Sequence, residues 1–492
     1  MRMKRALITA TALYLVTVST VSGQNNTDAI VDTTFENFLF DFAGGGARAE
    51  GMGKAFIGVS DDITAGSWNP AGLWIQEVPA MSGTFGSLVP RGEFAFSSGQ
   101  AGSDRFRHNG SFGAIDHLSF VAPIRIKGHH FVGSFSWTRN FDQFESITAN
   151  FVQPSINRYV VNNTRITDTL LERTAVTSEL QGGLNSVSFA FGTRMYRKLS
   201  IGIAAHIYTG QTVRDELILT SIDSFLVPAM NGQRVQLESG TQILDTNTFS
   251  GINFTIGLKY NSEKLDAGLV IRKPFSLDLT TDVSQFTLLS FNGFVVNNGT
   301  DTIFVDDILR KYEMPLMIAG GIGYKPREDL VLALDLEYRQ FGTTDLKRRT
   351  ERTLVPGGTD IEEFEETDPD WQNTLSMRLG VEYVAETGIG AIPFRAGLGI
   401  VPIPQKDSSR TGGTTLSYQF PHLLMIPIQQ LINKSKAATY SYSVGTGIHW
   451  SQIHFDFAYT YSTLDQRLAV PTISALHSSR NHHVAVEFTG FF

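Results

Sequence analysis

The sequence predicts an all-β fold: a transmembrane antiparallel β-barrel of about 14 strands with an amino-terminal plug, or hatch, inside its lumen. Three observations predict it. The chain closes on an alternating strand, Val484 to Phe492, with an aromatic end. Short and long connections alternate strictly between strand-like segments, as the two sides of an outer-membrane barrel require. Beyond residue 23 there is no run of about 20 apolar residues, so any membrane span must be built from strands.

Taken in order, Met1-Arg2-Met3-Lys4-Arg5, the apolar stretch Ala6 to Val18 and the small residues before Gly23-Gln24 give the three-part pattern of a secretory signal peptide. The apolar stretch is short for a bilayer span and its basic flank precedes it, so residues 1–23 are expected to be removed; an uncleaved anchor is the alternative. Residues 24–78 do not fit the strand ladder. They carry Gly44-Gly45-Gly46, Gly51-Met52-Gly53 and Trp68-Asn69-Pro70-Ala71-Gly72-Leu73. A wide lumen needs filling, and a glycine-rich leading segment suits a plug. Phe38, Phe40, Met52, Phe56 and Trp68 argue against a disordered tail.

The barrel is expected over 79–492, with strands near 79–99, 111–124, 129–141, 184–195, 200–210, 250–260, 265–275, 314–324, 330–343, 371–384, 392–400, 440–450, 453–463 and 481–492. Short turns at 125–128, 196–199, 261–264, 325–329, 385–391 and 451–452 alternate with long loops at 142–183, 211–249, 276–313, 344–370, 401–439 and 464–480. Both chain ends then fall in the periplasm.

Within strands the faces separate by period two. Leu332, Leu334, Leu336 and Tyr338 oppose Asp335 and Glu337; Phe455, Phe457, Tyr459 and Tyr461 oppose His454, Asp456 and Thr460; Val484, Val486 and Phe488 oppose Ala485, Glu487 and Thr489. A soluble sandwich or propeller also alternates, but the basic-apolar amino terminus and the aromatics near strand ends suit an outer-membrane barrel better.

With no cysteine among 492 residues, disulfides, thiolate metal sites and cysteine nucleophiles are excluded. The net charge of −8 and the lack of a basic stripe exclude nucleic acid as an expected partner. His129-His130, His482-His483, His449 and His454 lack a third metal ligand at suitable spacing. The acidic stretch Asp360, Glu362, Glu363, Glu365, Glu366, Asp368, Asp370 has no EF-hand pattern and reads as a solvated extracellular loop, with divalent-cation binding near lipopolysaccharide as the alternative. No nucleophile elbow or phosphate loop stands out, so no catalytic residue, metal or cofactor is predicted.

Ala47-Arg48-Ala49-Glu50-Gly51-Met52-Gly53, Asp61-Asp62 and Asn69-Pro70-Ala71-Gly72-Leu73 resemble the FadL/TodX family of long-chain fatty acid and hydrophobic-compound transporters. The resemblance continues in Met314-Pro315, Gly321-Ile322-Gly323-Tyr324-Lys325-Pro326, Asp335-Leu336-Glu337-Tyr338, Pro393-Phe394-Arg395-Ala396-Gly397 and Asp456-Phe457-Ala458-Tyr459-Thr460-Tyr461. It covers the amino-terminal segment and the carboxy-terminal third. It implies a bacterial outer-membrane channel for passive uptake of fatty acids or hydrocarbons, surrounded by outer-membrane lipids and lipopolysaccharide. Apolar extracellular loops would take up the ligand, a lumen site would hold it, and a movable hatch would let it leave.

Asn69-Pro70-Ala71 matches the family's hatch motif, which makes it either a gating element or an Asn-Pro turn that ends the segment. After Pro404 the chain departs from the family pattern. Leu424, Ile428, Leu431 and Ile432 fall at helical spacing, so an outer amphipathic helix could capture ligand, dock a partner or fill the barrel mouth. PorV-like barrels, accessory proteins of a secretion machine, share similar amino-terminal patterns. Such a role, with secretion-system proteins as partners, is the alternative function.

Overall fold

The computed structural model describes residues 44–98, 101–161, 164–227, 233–353, 361–369, 371–404, 438–470 and 473–492. Among them the chain forms nineteen strands in one antiparallel sheet. In chain order these are β1 (Ala80–Ser98), β2 (Ala101–Asn109), β3 (Phe112–Ile126), β4 (His129–Val161), β5 (Thr164–Tyr196), β6 (Leu199–Val227), β7 (Gln233–Asn261), β8 (Leu265–Arg272), β9 (Phe275–Phe291) and β10 (Phe294–Met314). There follow β11 (Met317–Arg327), β12 (Leu330–Arg339), β13 (Leu346–Thr353), β14 (Ile361–Thr367), β15 (Thr374–Thr387), β16 (Gly390–Pro402), β17 (Ala438–His449), β18 (Ile453–Val470) and β19 (Ile473–Phe491).

Fourteen of them close a ring. Pairing runs β1–β3–β4–β5–β6–β7–β8–β11–β12–β15–β16–β17–β18–β19, and β19 returns to β1 from Ala80↔Phe491 to Ser97↔Ser474. Each expected strand lies on one of these wall strands. Closure satisfies every wall strand on both edges, which a bilayer demands.

The outward face carries the predicted apolar residues Leu332, Leu334, Leu336 and Phe488, all exposed, and with them Phe394 and Val444. Tyr196, Tyr260, Tyr324 and Tyr383 stand exposed where β5, β7, β11 and β15 approach the short turns, an aromatic girdle at the periplasmic interface. Many inward positions are polar or small, among them Asp335, Glu337, Asp456, Glu487 and Thr489. This is an outer-membrane barrel.

Outside the membrane the structure corrects the sequence reading. Among the described residues, the long connections expected as loops are largely strand. β4 and β5 are 33 residues each, whereas a tilted span needs about 9–11. The excess builds a collar: β2 joins β1 and touches β4, β9 joins β7, and β9–β10–β13–β14 continue it. The acidic stretch, expected to be a solvated loop, is mostly β14, paired with basic β13 so that Lys347 faces Glu366 and Arg348 faces Glu365. Opposite charges directly across a strand pair attract, which gives two otherwise polar segments a register.

Candidate functional site

The lumen is built in two storeys. In the lower, periplasmic one, residues 44–78 pack against inward side chains around the ring. Their own fold is local: a helical turn Ala47–Gly51, a second at Ala65–Trp68, and a 3₁₀ turn Pro70–Ile75. Buried Met52, Phe56, Val59 and Trp68 hold these together, with Phe56 and Trp68 edge-to-face at 5.9 Å and Arg48 over the Phe56 ring at 5.3 Å. Trp68 Nε1 donates to Gly45 O at 2.8 Å, tying the ends of the segment together.

Wall glycines let this segment approach. A Cβ on Gly192, Gly202 or Gly257 would strike Asn69 or Pro70, and one on Gly268 would strike Ile57. One on Gly380 or Gly397 would strike Met52 or Gly53. These glycines are in register along the wall: Gly192↔Gly202↔Gly257, Gly268↔Gly321 and Gly380↔Gly397. Backbone thus meets backbone, the close approach for which glycine is suited.

Polar wall side chains pin the segment. Glu487 accepts from Ala47 N at 2.7 Å, and Asp335 accepts from Ile57 N at 2.6 Å and Gly58 N at 3.3 Å. Lys259 Nζ donates to Ser60 O at 2.9 Å and also to Val59 O. Arg48 makes a bidentate pair with Glu382, at 2.9 and 2.8 Å, and reaches Asp61 at 2.5 Å. Glu382 also receives Arg395, which in turn holds Asp456. On the segment itself, burial works to raise the Asp61 carboxyl, but Arg48 and Lys259 hold it below its ordinary value; burial pushes Asp62 up.

Above lies an apolar zone, the upper chamber, whose side chains pack against one another. Leu184, Tyr208, Phe249, Leu277, Met314 and Trp371 belong to one cluster of side chains 0–6% exposed. Tyr208 stacks on Phe275 at 5.2 Å, Phe141 meets Phe249 at 6.0 Å, and Phe341 meets Trp371 at 5.9 Å. Between the storeys, His206 bonds Ser188 at 2.7 Å and Thr255 at 3.0 Å. Arg272 is 8% exposed, and its hydrogen bond among the described residues is a long one, Nε to Thr255 Oγ1 at 3.3 Å. No carboxylate pairs with it there. Beside it, the Nδ2 of Asn253, 1% exposed, is without a partner among the described residues.

Of the residues singled out from sequence, Asn69, Pro70 and Ala71 lie on the glycines. Asn69 accepts from Ala71 N at 3.1 Å and donates to Ile57 O at 3.3 Å and to the wall at Leu258 O at 3.1 Å. Leu424, Ile428 and Leu431 fall outside the described residues, as do 1–43. Sequence reading missed Arg272, Asn253 and the chamber. It also missed a cavity of about 610 Å³ in the collar, lined in part by Val152, Ala175, Leu219, Leu288 and Val295.

A sequence profile of the family described as BamG matches residues 155–387, just under half of the chain. Among curated proteins none matches. Among solved structures, a FadL homologue of Pseudomonas aeruginosa aligns at TM-score 0.54 and 13% identity, over 92% of this chain and 99% of that one. This chain has the FadL-type fold. Also similar to this FadL-type barrel are a deletion mutant of TodX described as a monoaromatic hydrocarbon channel (TM-score 0.50, 15% identity, 92% and 100% covered) and the toluene transporter TbuX of Ralstonia pickettii (0.47, 16%, 92% and 99%).

Proposed function

We propose that this barrel passively admits hydrophobic and amphiphilic molecules through the outer membrane. The collar cavity would take them from outside, the apolar chamber would hold them, and residues 44–78 would act as the hatch that closes the periplasmic side. The chamber carries this reading: inward positions of an outer-membrane barrel are ordinarily polar, and here large apolar side chains turn inward just above a polar, closed floor. An apolar solute gains by remaining in such surroundings.

Arg272 and Asn253 refine the ligand class. A buried guanidinium without a carboxylate is costly to hold, and an anionic group entering from above would offset that. A fatty acid or another acidic amphiphile fits this floor better than a neutral hydrocarbon.

The test is mass spectrometry of organic extracts from the gently solubilised barrel, beside a variant lacking residues 44–78. A specific acidic amphiphile held by the intact protein supports the reading. One observation favours the second reading, a secretion-accessory barrel: the chamber side chains fill their own space, and the collar offers a large outer surface. Partner proteins retained on an intact barrel free of lipid would favour it.

A further inference from the structure

Three glycines of residues 44–78 meet three glycines of the wall. A Cβ on Gly51 would lie 3.2 Å from Gly445 Cα, one on Gly53 would strike the backbone at Gly397-Leu398, and one on Gly58 the backbone at Gly321-Ile322. Gly53 has φ +65°, so a side chain there would be strained as well as obstructed. The reverse also holds: a Cβ on Gly397 would meet Gly53 and Met52 backbone, and one on Gly321 would meet Gly58 N together with Asp335 Oδ1, the acceptor for that same N–H. The three contacts lie on β17, β16 and β11, within five consecutive strands of the ring.

We propose that these paired glycines are the permeability seal of the barrel. Ion pairs such as Arg48–Glu382 hold the segment in place, but they leave water-accessible edges: Arg48 retains 17% exposure and Asp61 23%. Water and ions are excluded where backbone lies on backbone with no side chain between, because no gap of a probe's width remains. This seat requires a missing Cβ on both partners. It is a property of steric fit, independent of what the chamber binds, although it rests on the reading that residues 44–78 close the lumen.

The design supplies its own control. Gly320 and Gly321 are neighbours on β11 with opposite faces: a Cβ on Gly320 meets nothing closer than 3.8 Å, whereas one on Gly321 strikes the segment. Gly321→Val and Gly397→Val should therefore lift the segment from its seat while Gly320→Val should not.

The experiment is single-channel conductance in planar bilayers, with folding of each barrel verified by its heat-modifiable gel mobility. The variant lacking residues 44–78 sets the open level. Overpacking at the seat should raise the open fraction of Gly321→Val and Gly397→Val by roughly tenfold or more over the parent. Gly320→Val should remain closed. An open deletion variant combined with closed Gly321→Val and Gly397→Val overturns the seal. A closed deletion variant overturns the underlying reading that the segment closes the barrel, and the seal with it. Equal leakage from Gly320→Val also overturns the seal, because wall disturbance would then explain the leak. Should Gly321→Val fail to fold, Gly58→Ala on the segment side tests the same contact without altering the wall.

Discussion

Read from outside to inside along β7, the inward positions are Phe249, Gly251, Asn253, Thr255, Gly257 and Lys259. The upper end presents an aromatic ring to a chamber, and the lower presents a glycine and an ammonium to a folded segment. β12 makes the same change: buried Phe341 follows its upper end, then come Arg339, Glu337, Asp335 and Ala333 going down. The outer half of the lumen thus offers packed apolar side chains. The inner half offers backbone contact and specific ion pairs that suit one occupant, residues 44–78. One strand ladder supports both, because period two fixes only which side chains point inward and leaves their chemistry free at each level.

The comparison breaks most sharply at Glu382. Glu382→Ala leaves Arg48 and Arg395 without their shared carboxylate, and removing one partner of a buried pair typically costs about 3–5 kcal/mol. Residues 44–78 should become protease-accessible in the folded barrel, while ligand retention in the chamber changes little. Equal loss of both would mean that the two storeys are not independent.

In the outer half, Phe249→Asp should abolish retention of apolar ligands without raising basal conductance, read by extract mass spectrometry and bilayer recording. Arg272→Gln should weaken binding of a fatty acid roughly tenfold and leave its methyl ester unaffected, as expected for one charge-assisted contact. Equal weakening of acid and ester would remove Arg272 from ligand recognition.

In the lower storey acid should act through Asp61 and Asp62. Asp61 is held below its ordinary value, so its contribution to docking is present above that ordinary value and is lost as pH falls through the lowered one. Asp62, raised by burial, runs the other way: docking gains when it is protonated. Asp61→Asn should therefore loosen the segment at neutral pH and Asp62→Asn should tighten it, by protease protection measured against pH. The smallest effect is expected in the collar. Lys347 and Glu366 are solvent-exposed partners, so Glu366→Gln should leave thermal stability unchanged within error and alter only its salt dependence.

The wall was legible because the bilayer imposes a simple rule on it: Leu332, Leu334, Leu336 and Tyr338 had to face lipid if Asp335 and Glu337 did not. The collar was less so. Above the membrane both faces of a strand are wet, so 142–183 and 211–249 show no apolar period and read as loops, although backbone pairing makes their described residues strand. Asn69-Pro70-Ala71 stood out as a motif, but its contact with Leu258 did not.

By itself, the sequence determined the strand ladder, its faces, the short turns and the polar or apolar character of each inward position. Tertiary structure decided which inward positions meet. Arg48 finds Glu382 across 334 residues, Gly53 finds Gly397, and Arg272 finds no carboxylate among the described residues. The physical reason is closure: alternation along a strand is a local property, whereas height and neighbourhood inside the lumen are fixed only when β19 pairs with β1 and every register in the ring is set at once.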